Sequence, residues 1–246
     1  MLEIEDITKR FGGLTVLDGL SLSLRRGSVT CIIGPNGCGK TTLFNIVTGK
    51  LRAEGGRVVL NGQDVMGLPP YRIAGLGVSR KFQIPGVYPE LSVVENLMVP
   101  LAASRQKAGV LATLFSKHTG RLGDLLALCG LSTKATEKVE TLSHGEKQWL
   151  EIAMLLAFDA ELILLDEPTA GMSVPETQKT ATLVRRLQSE FKKTVLVIEH
   201  DMSFVRALDC RVVVMLRGRV VREGSIEQIQ KDPEVIAAYL GEVAAC

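Results

Sequence analysis

The 246-residue chain has few cysteines, almost no net charge and no long apolar run, and each of these scarcities removes a class of protein. Its five cysteines, Cys31, Cys38, Cys129, Cys210 and Cys246, are odd in number, widely spaced and include no CxxC pair. That pattern argues against a disulfide framework and a zinc site, and it suits a reducing, cytosolic setting. Lys plus Arg number 29 against 27 Asp plus Glu, a net charge of +2, so no global electrostatic argument for nucleic acid or an anionic membrane exists. No uninterrupted apolar stretch approaches the roughly 18 residues a spanning helix needs. The opening MLEIEDITKRF carries acids and alternates in hydrophobicity, so no signal peptide is expected. Any work at a membrane is therefore expected to go through a partner. Repeats, low-complexity tracts and long linkers are missing too.

What is present is ordinary for a globular protein: 46% hydrophobic residues and 23% charged, enough for one large α/β domain or two modest ones. Leu2, Ile4 and Ile7, then Val16 to Leu24, alternate like half-buried strands broken by Gly12-Gly13 and Arg26-Gly27, which predicts an antiparallel sheet. The run VTCII ends in GPNGCGKTTLFNIVTG: a buried strand, a glycine-rich turn, then a helix with Leu43, Phe44, Ile46 and Val47 on its apolar face. Gly55-Gly56, RVVLNG and Pro69-Pro70 predict a returning hairpin and a short helix near Tyr71 to Ala74. From about Leu97 to Leu131 the spacing is helical, and LAASRQKAGVLATLFSKHTGRLG holds four Lys or Arg with no acid, the mark of a small helical subdomain. ELILLDEP, a helix from about Val174 to Phe191, KTVLVIEHD, the hairpin RVVVMLRG and RVVREG, and the helical ending EQIQKDPEVIAAYLG complete the chain. Buried strands alternating with helices imply a mainly parallel sheet.

The strongest chemical signal is Gly34-Pro35-Asn36-Gly37-Cys38-Gly39-Lys40-Thr41-Thr42, a full match to GxxxxGK[ST] between a strand and a helix. Its glycines let successive N–H groups turn inward around phosphate oxygens. Lys40 supplies a point charge to the β- and γ-phosphates, and Thr41 offers a hydroxyl to Mg²⁺. A second signal is LILLDEP, an apolar strand delivering Asp166 and Glu167 at the ligand edge of a parallel sheet. Asp166 is expected to hold Mg²⁺ through water, and Glu167 to orient or deprotonate the attacking water. Together they define a P-loop ATPase. A third stretch, LSHGE, has Ser143 three residues before Glu146 ahead of an apolar-periodic run, which is a capping box and starts a helix.

In this context Leu142-Ser143-His144-Gly145-Glu146 resembles the signature motif of ATP-binding cassette (ABC) proteins, whose usual form is LSGGQ. The resemblance runs over nearly the whole chain. It implies an ABC ATPase as one domain over 1–246: a mainly parallel core sheet, an N-terminal antiparallel β-subdomain, and a helical signature subdomain inserted over about 84–156. It implies that Phe11 stacks on adenine, that Gln83 in RKFQ is the Q-loop glutamine touching both metal and reaction, and that His200 in VIEHD is the switch histidine. Each has a plainer reading: an edge aromatic, a surface residue and a satisfied core group. The resemblance also implies ATP and Mg²⁺ as cofactors and a head-to-tail dimer with a second cassette, itself or a paralogue. Ser143 and Gly145 then reach the ATP held by the other subunit's phosphate loop.

The motifs RKFQIP, LSHGEKQWLEIAMLL, TAGMS, EHDMSFV and EVIAAYLGE resemble ATP-binding subunits of branched-chain amino acid importers, and particularly their urea and short-amide branch. The implied partners are two membrane permease subunits and, indirectly, a solute-binding protein, with no nucleic acid, at the cytoplasmic face of the inner membrane. QIPGVYPELSVVENL, Gln83 to Leu97, is expected to shape the groove gripping a permease helix. Non-transport ABC ATPases and nucleotide-dependent scaffolds are the competing classes. Three departures stand out: His144 and Glu146 replace glycine and glutamine in the signature, Ser173 ends the D-loop where aspartate is usual, and Cys38 lies in the phosphate loop. Cys38 is expected to be a tolerated small residue; the alternative is a thiol whose pKa the inward N–H groups lower, so that alkylation would block nucleotide binding.

Overall fold

In the computed structural model, which describes residues 1–81, 86–103 and 118–237, β1 (Leu2–Phe11) and β2 (Leu14–Leu24) pair antiparallel across Gly12-Gly13. β3 (Val29–Ile33) runs into α1 (Lys40–Val47), and β4 (Gly55–Leu60) and β5 (Gln63–Asp64) return to the first sheet. α2 (Pro70–Gly75) precedes β6 (Val78–Lys81). Three helices follow: α3 (Val93–Ala103), α4 (His118–Cys129) and α5 (His144–Ala157). The chain then alternates through β7 (Leu162–Asp166), α6 (Val174–Ser189), β8 (Thr194–Ile198) and α7 (Met202–Leu208). It ends with the hairpin β9 (Arg211–Leu216) and β10 (Arg219–Gly224), then α8 (Ile226–Ile229).

Two sheets result. The first is antiparallel in the order β2-β1-β4-β5, as the alternation of Leu2, Ile4 and Ile7 predicts. The second is ordered β10-β9-β3-β8-β7-β6, parallel apart from β10. Its inner strands lack polar alternation because both faces are covered. Cys31 and Ile33 of β3 point into one apolar cluster with Leu150 of α5, Val184 of α6 and Phe204 of α7. Ile32 points into the other, with Ile4 of β1 and Phe44 of α1. Each fully buried Leu, Ile or Val side chain there contributes about 2 kcal/mol.

β6 escapes a pattern reading. Its sequence is VSRK, yet Lys81 is wholly buried and Arg80 nearly so, because both have carboxylate partners. Parallel pairing with β7 sets Lys81 beside Leu165 and makes β6 the edge strand that leads toward Gln83. Gln83 itself, most of the basic stretch between Leu101 and Arg121, and the end of EVIAAYLGE lie outside the described residues. α3 and α4 both pack on α5, and buried Asn96 on α3 fixes the loop before it. Its amide accepts from Tyr88 N–H at 2.7 Å and donates to the Tyr88 and Ser92 carbonyls at 3.0 Å each.

Candidate functional site

The loop Gly34 to Gly39 joins β3 to α1 at the carboxyl end of the parallel strands. α1 starts without a side-chain cap: its N-cap is Gly39, at φ 102°. A side chain there is excluded twice, since a Cβ would also stand 2.6 Å from Leu17 Cδ2. The first N–H groups of α1 consequently have no side chain of their own to serve. Lys40 is buried and curls into the loop, its ammonium donating to the carbonyls of Gly34 at 2.6 Å and Pro35 at 2.8 Å. Thr41 and Asn36 are exposed beside it, and Thr42 is half-buried.

Cys38 is enclosed by the loop and its surroundings. Its thiol is buried, and burial pushes its pKa up; Lys40, with Nζ 3.8 Å from Sγ, opposes the rise without cancelling it. Backbone N–H groups also favour the thiolate, but enclosure outweighs them. Cys38 is thus a small packed residue whose thiolate is disfavoured by burial.

Three strand ends meet the loop. Asp166 ends β7 at 2% exposure, and its Oδ2 accepts from Arg80 Nη2 at 2.7 Å. Arg80 Nη1 donates to Asn45 Oδ1 of α1 at 2.6 Å, tying β6, β7 and the phosphate-loop helix together. Glu167 takes a left-handed conformation, φ 46°, and its N–H donates to Ile198 O of β8 at 2.9 Å. That turn sets its carboxylate 3.8 Å from Nδ1 of His200, whose ring is mostly exposed. Among the described residues no three His, Cys, Asp or Glu side chains gather as a metal cage. The donors present, one hydroxyl and one carboxylate beside an anion loop, instead fit an ion such as Mg²⁺, which keeps waters and shares phosphate oxygens.

Phe11 ends β1, half exposed, with Lys9 Nζ 5.3 Å from its ring centroid. It pairs with Leu14, two residues before Val16, whose carbonyl abuts Gly39. The strand that pairs with Phe11 thus runs past the phosphate loop, and the half-exposed ring has surface available for stacking. Ser143 and Gly145 sit at the start of α5. The capping box forms: Ser143 Oγ accepts from Glu146 N–H at 3.2 Å, and Glu146 Oε2 accepts from Ser143 N–H at 3.0 Å. Lys134 pairs with Glu146 at 2.9 Å. A Cβ at Gly145 would lie 2.5 Å from Glu176 Oε1, so a larger residue there would have to displace the flexible Glu176 side chain.

Four functional candidates lacked a recognised signal: Arg80, Lys81, Glu151 and Glu199. Each is a charged residue that the fold buries. The available clue was a charge within or beside an apolar strand, VSRK and VIEHD, or on the core face of LEIAMLL. Glu151 pairs with Lys81 at 3.6 Å and accepts from Gly86 N–H at 3.1 Å, spanning the two sides of residues 82–85. It also lines a mainly apolar cavity of about 350 Å³ with Pro70, Ile73, Gly86, Pro100 and Met154.

Comparison with known proteins agrees with this geometry. Residues 17–170 match the ABC transporter family profile, and residues 223–245 match a profile described as branched-chain amino acid ATP-binding cassette transporter. The high-affinity branched-chain amino acid transport ATP-binding protein BraF of Pseudomonas aeruginosa is 38% identical, covering 98% of both chains. LivG of Escherichia coli, described in the same terms, is 36% identical with the same coverage. Among solved structures, a nucleotide-free ATP-binding cassette from an ABC transporter superposes with a TM-score of 0.82 at 32% identity, covering 97% of this chain and 98% of that one. A dimeric cassette in a post-hydrolysis state with ADP and Pi superposes at 0.76 and 26% identity, covering 92% and 99%.

Proposed function

The chain belongs to the ABC transporter family as an ATP-hydrolysing subunit coupled to transport, and from that premise we propose that it energises an importer of branched-chain amino acids. The observation that carries the solute class is the full-length similarity to BraF and LivG together with the matching carboxyl-terminal profile. Urea or a short amide, the solute first suggested by the five motifs from RKFQIP to EVIAAYLGE, has no support among those relatives and stands second. No described helix is long and apolar enough to cross a membrane, so the chain would act on the inner face through two permease subunits, with a solute-binding protein supplying them. The cavity beside Glu151, next to the exposed Tyr71 and Tyr88, is our candidate seat for a permease helix.

The residue roles are likewise our reading. Phosphate oxygens would draw Lys40 away from the Gly34 and Pro35 carbonyls, because an ammonium bonds an anion more strongly than a neutral carbonyl. Asn36, Gly37, Cys38 and Thr42 would wrap the phosphates with backbone N–H groups, Pro35, which has no N–H, would shape the turn, and Phe11 would stack on adenine. Thr41, Asp166 and Gln83 would hold Mg²⁺, which would supply charge neutralisation on the β- and γ-phosphates. Glu167 would orient the attacking water, His200 would meet the γ-phosphate, and Ser143 and Gly145 would close over ATP bound by a second cassette. Glu167→Gln is expected to lower hydrolysis about 10³-fold and to accumulate an ATP-bound dimer on size-exclusion chromatography. A monomer under ATP and Mg²⁺ would remove the sandwich. For the solute, the subunit reassembled with its permease in vesicles should drive leucine uptake with ATP inside; urea uptake without leucine uptake would reverse the order of the two readings.

A further inference from the structure

Two loops leave neighbouring parallel strands at the ligand edge, 167–173 after β7 and 199–201 after β8, and one buried carboxylate joins them. Glu199 is 1% exposed. Its Oε1 accepts from the Thr169 N–H at 3.1 Å and from the Thr169 hydroxyl; its Oε2 accepts from the N–H groups of His200 at 2.9 Å and Asp201 at 3.2 Å. Four donors use the whole accepting capacity of a carboxylate, so moving either loop breaks a bond the other loop depends on. The next residue is held from the opposite side: the Ala170 carbonyl lies 3.2 Å from Nε2 of His144, the first residue of α5. A carbonyl only accepts, so this bond forms in the tautomer with its proton on Nε2, the nitrogen that also lies 3.3 Å from the Gln148 amide. Ala170 N–H meanwhile donates to Glu167 O at 3.2 Å, which closes the turn that aims the Glu167 side chain. Ser173 takes no part in this, since its N–H and hydroxyl both donate to Glu176 at the start of α6.

We propose that His144 and Glu199 are positioning residues at the two ends of one tether, in which Thr169 and Ala170 transmit engagement of the signature helix to Glu167 and His200 of the same chain. The proposal rests on the sandwich-dimer reading above. The start of α5 would face the second subunit's nucleotide, and a shift there pulls Ala170 through His144. Thr169 moves with it and draws on Glu199, whose other oxygen fixes the His200 backbone. Each subunit's hydrolysis thus comes to depend on what its signature helix has met. The histidine that departs from the usual signature glycine would perform a task left open by the missing D-loop aspartate.

The test is a double-mutant cycle on the full-length protein with His144→Phe, which keeps bulk without a donor, and Thr169→Val, which removes only the hydroxyl. Each single variant should lower kcat roughly tenfold, leave ATP affinity within about twofold, and bring the Hill coefficient for ATP toward one. The double variant should be no worse than either single, because a tether cut twice is cut once. Thr169→Ser should restore kcat and cooperativity, and melting curves separate these effects from loss of fold. Losses that multiply in the double variant, or singles with unchanged kcat and Hill coefficient, would overturn the tether. If wild-type protein hydrolyses ATP and Glu167→Gln dimerises, such a result removes the tether alone; if neither occurs, the sandwich reading fails with it.

Discussion

Two helix starts serve the same nucleotide on this reading, and they are built in opposite ways. α1 begins at an uncapped left-handed glycine, with a lysine whose partners are two loop carbonyls. α5 begins with a closed capping box, and two carboxylates, Glu146 and Glu176, flank its first turn. A helix N-terminus attracts anions when its N–H groups are unclaimed and nearby charge is positive. α1 meets both conditions. At α5 the box uses two donors, and the carboxylates repel an anion except where Lys134 screens Glu146. On the proposed function the contrast implies an order of events: nucleotide would settle on α1, and α5 would be a rigid lid that gains a phosphate only when a second subunit brings one.

The largest test of that rigidity concerns what holds α5. Burial pushes the Lys81 pKa down and that of Glu151 up, each restrained by the opposite charge of the other. Glu151→Leu would strand a buried ammonium, so we expect a loss of about 3 to 5 kcal/mol in urea denaturation, largely recovered by Lys81→Met in the same chain. If the single variant is neutral, α5 is not anchored there.

A smaller effect separates the two starts directly. Lys40→Ala should weaken ATP binding to the monomer about 100-fold by calorimetry, since a charge-assisted bond to phosphate is lost. Ser143→Ala should leave that affinity within about twofold, cost about 1 kcal/mol of stability through the cap, and weaken ATP-driven dimerisation. Equal losses of monomer affinity would erase the distinction.

The smallest effect is that of Glu146. Burial alone would raise its pKa, but hydrogen bonds from Lys134 and Ser143 outweigh it and hold the carboxyl below its ordinary value of 4.5. A depressed carboxyl stabilises the fold above the unfolded value and loses that contribution as pH falls through the folded one. Glu146→Gln should therefore melt slightly below wild type at pH 7, by an amount worth under about 1 kcal/mol, and the gap should close below pH 4.5. Dimerisation with ATP should persist. A gap that does not change with pH would assign the cap's strength to shape alone.

Much of this architecture is legible in the residues. The strand, glycine loop and helix from VTCII to GPNGCGKTTLF need no tertiary information, because only glycine tolerates the backbone at Gly39 and only a buried strand reads as an unbroken apolar run. The cap at Ser143 and the turn from Asp166 to Glu167 are local in the same sense. β6 was not legible, since VSRK looks like surface until carboxylates from α5 and β7 arrive to pair with it. The surroundings of Cys38 were only half legible for a related reason: the backbone around it can favour a thiolate, whereas its enclosure depends on packing from elsewhere in the fold.

The sequence by itself determined the periodicities, the glycine turns and the caps, and these set which elements form and which edge carries the chemistry. The tertiary structure alone decided which charges are buried and whom they meet: Arg80 with Asp166, Lys81 with Glu151, and Glu199 between Thr169 and His200. The partners of these pairs lie 30 to 86 residues apart in the chain for the hydrogen-bonded cases of Glu199–Thr169 and Arg80–Asp166. A buried charge is tolerated only beside its partner, and a pairing over such distances leaves no periodic trace for a reader of the sequence to find.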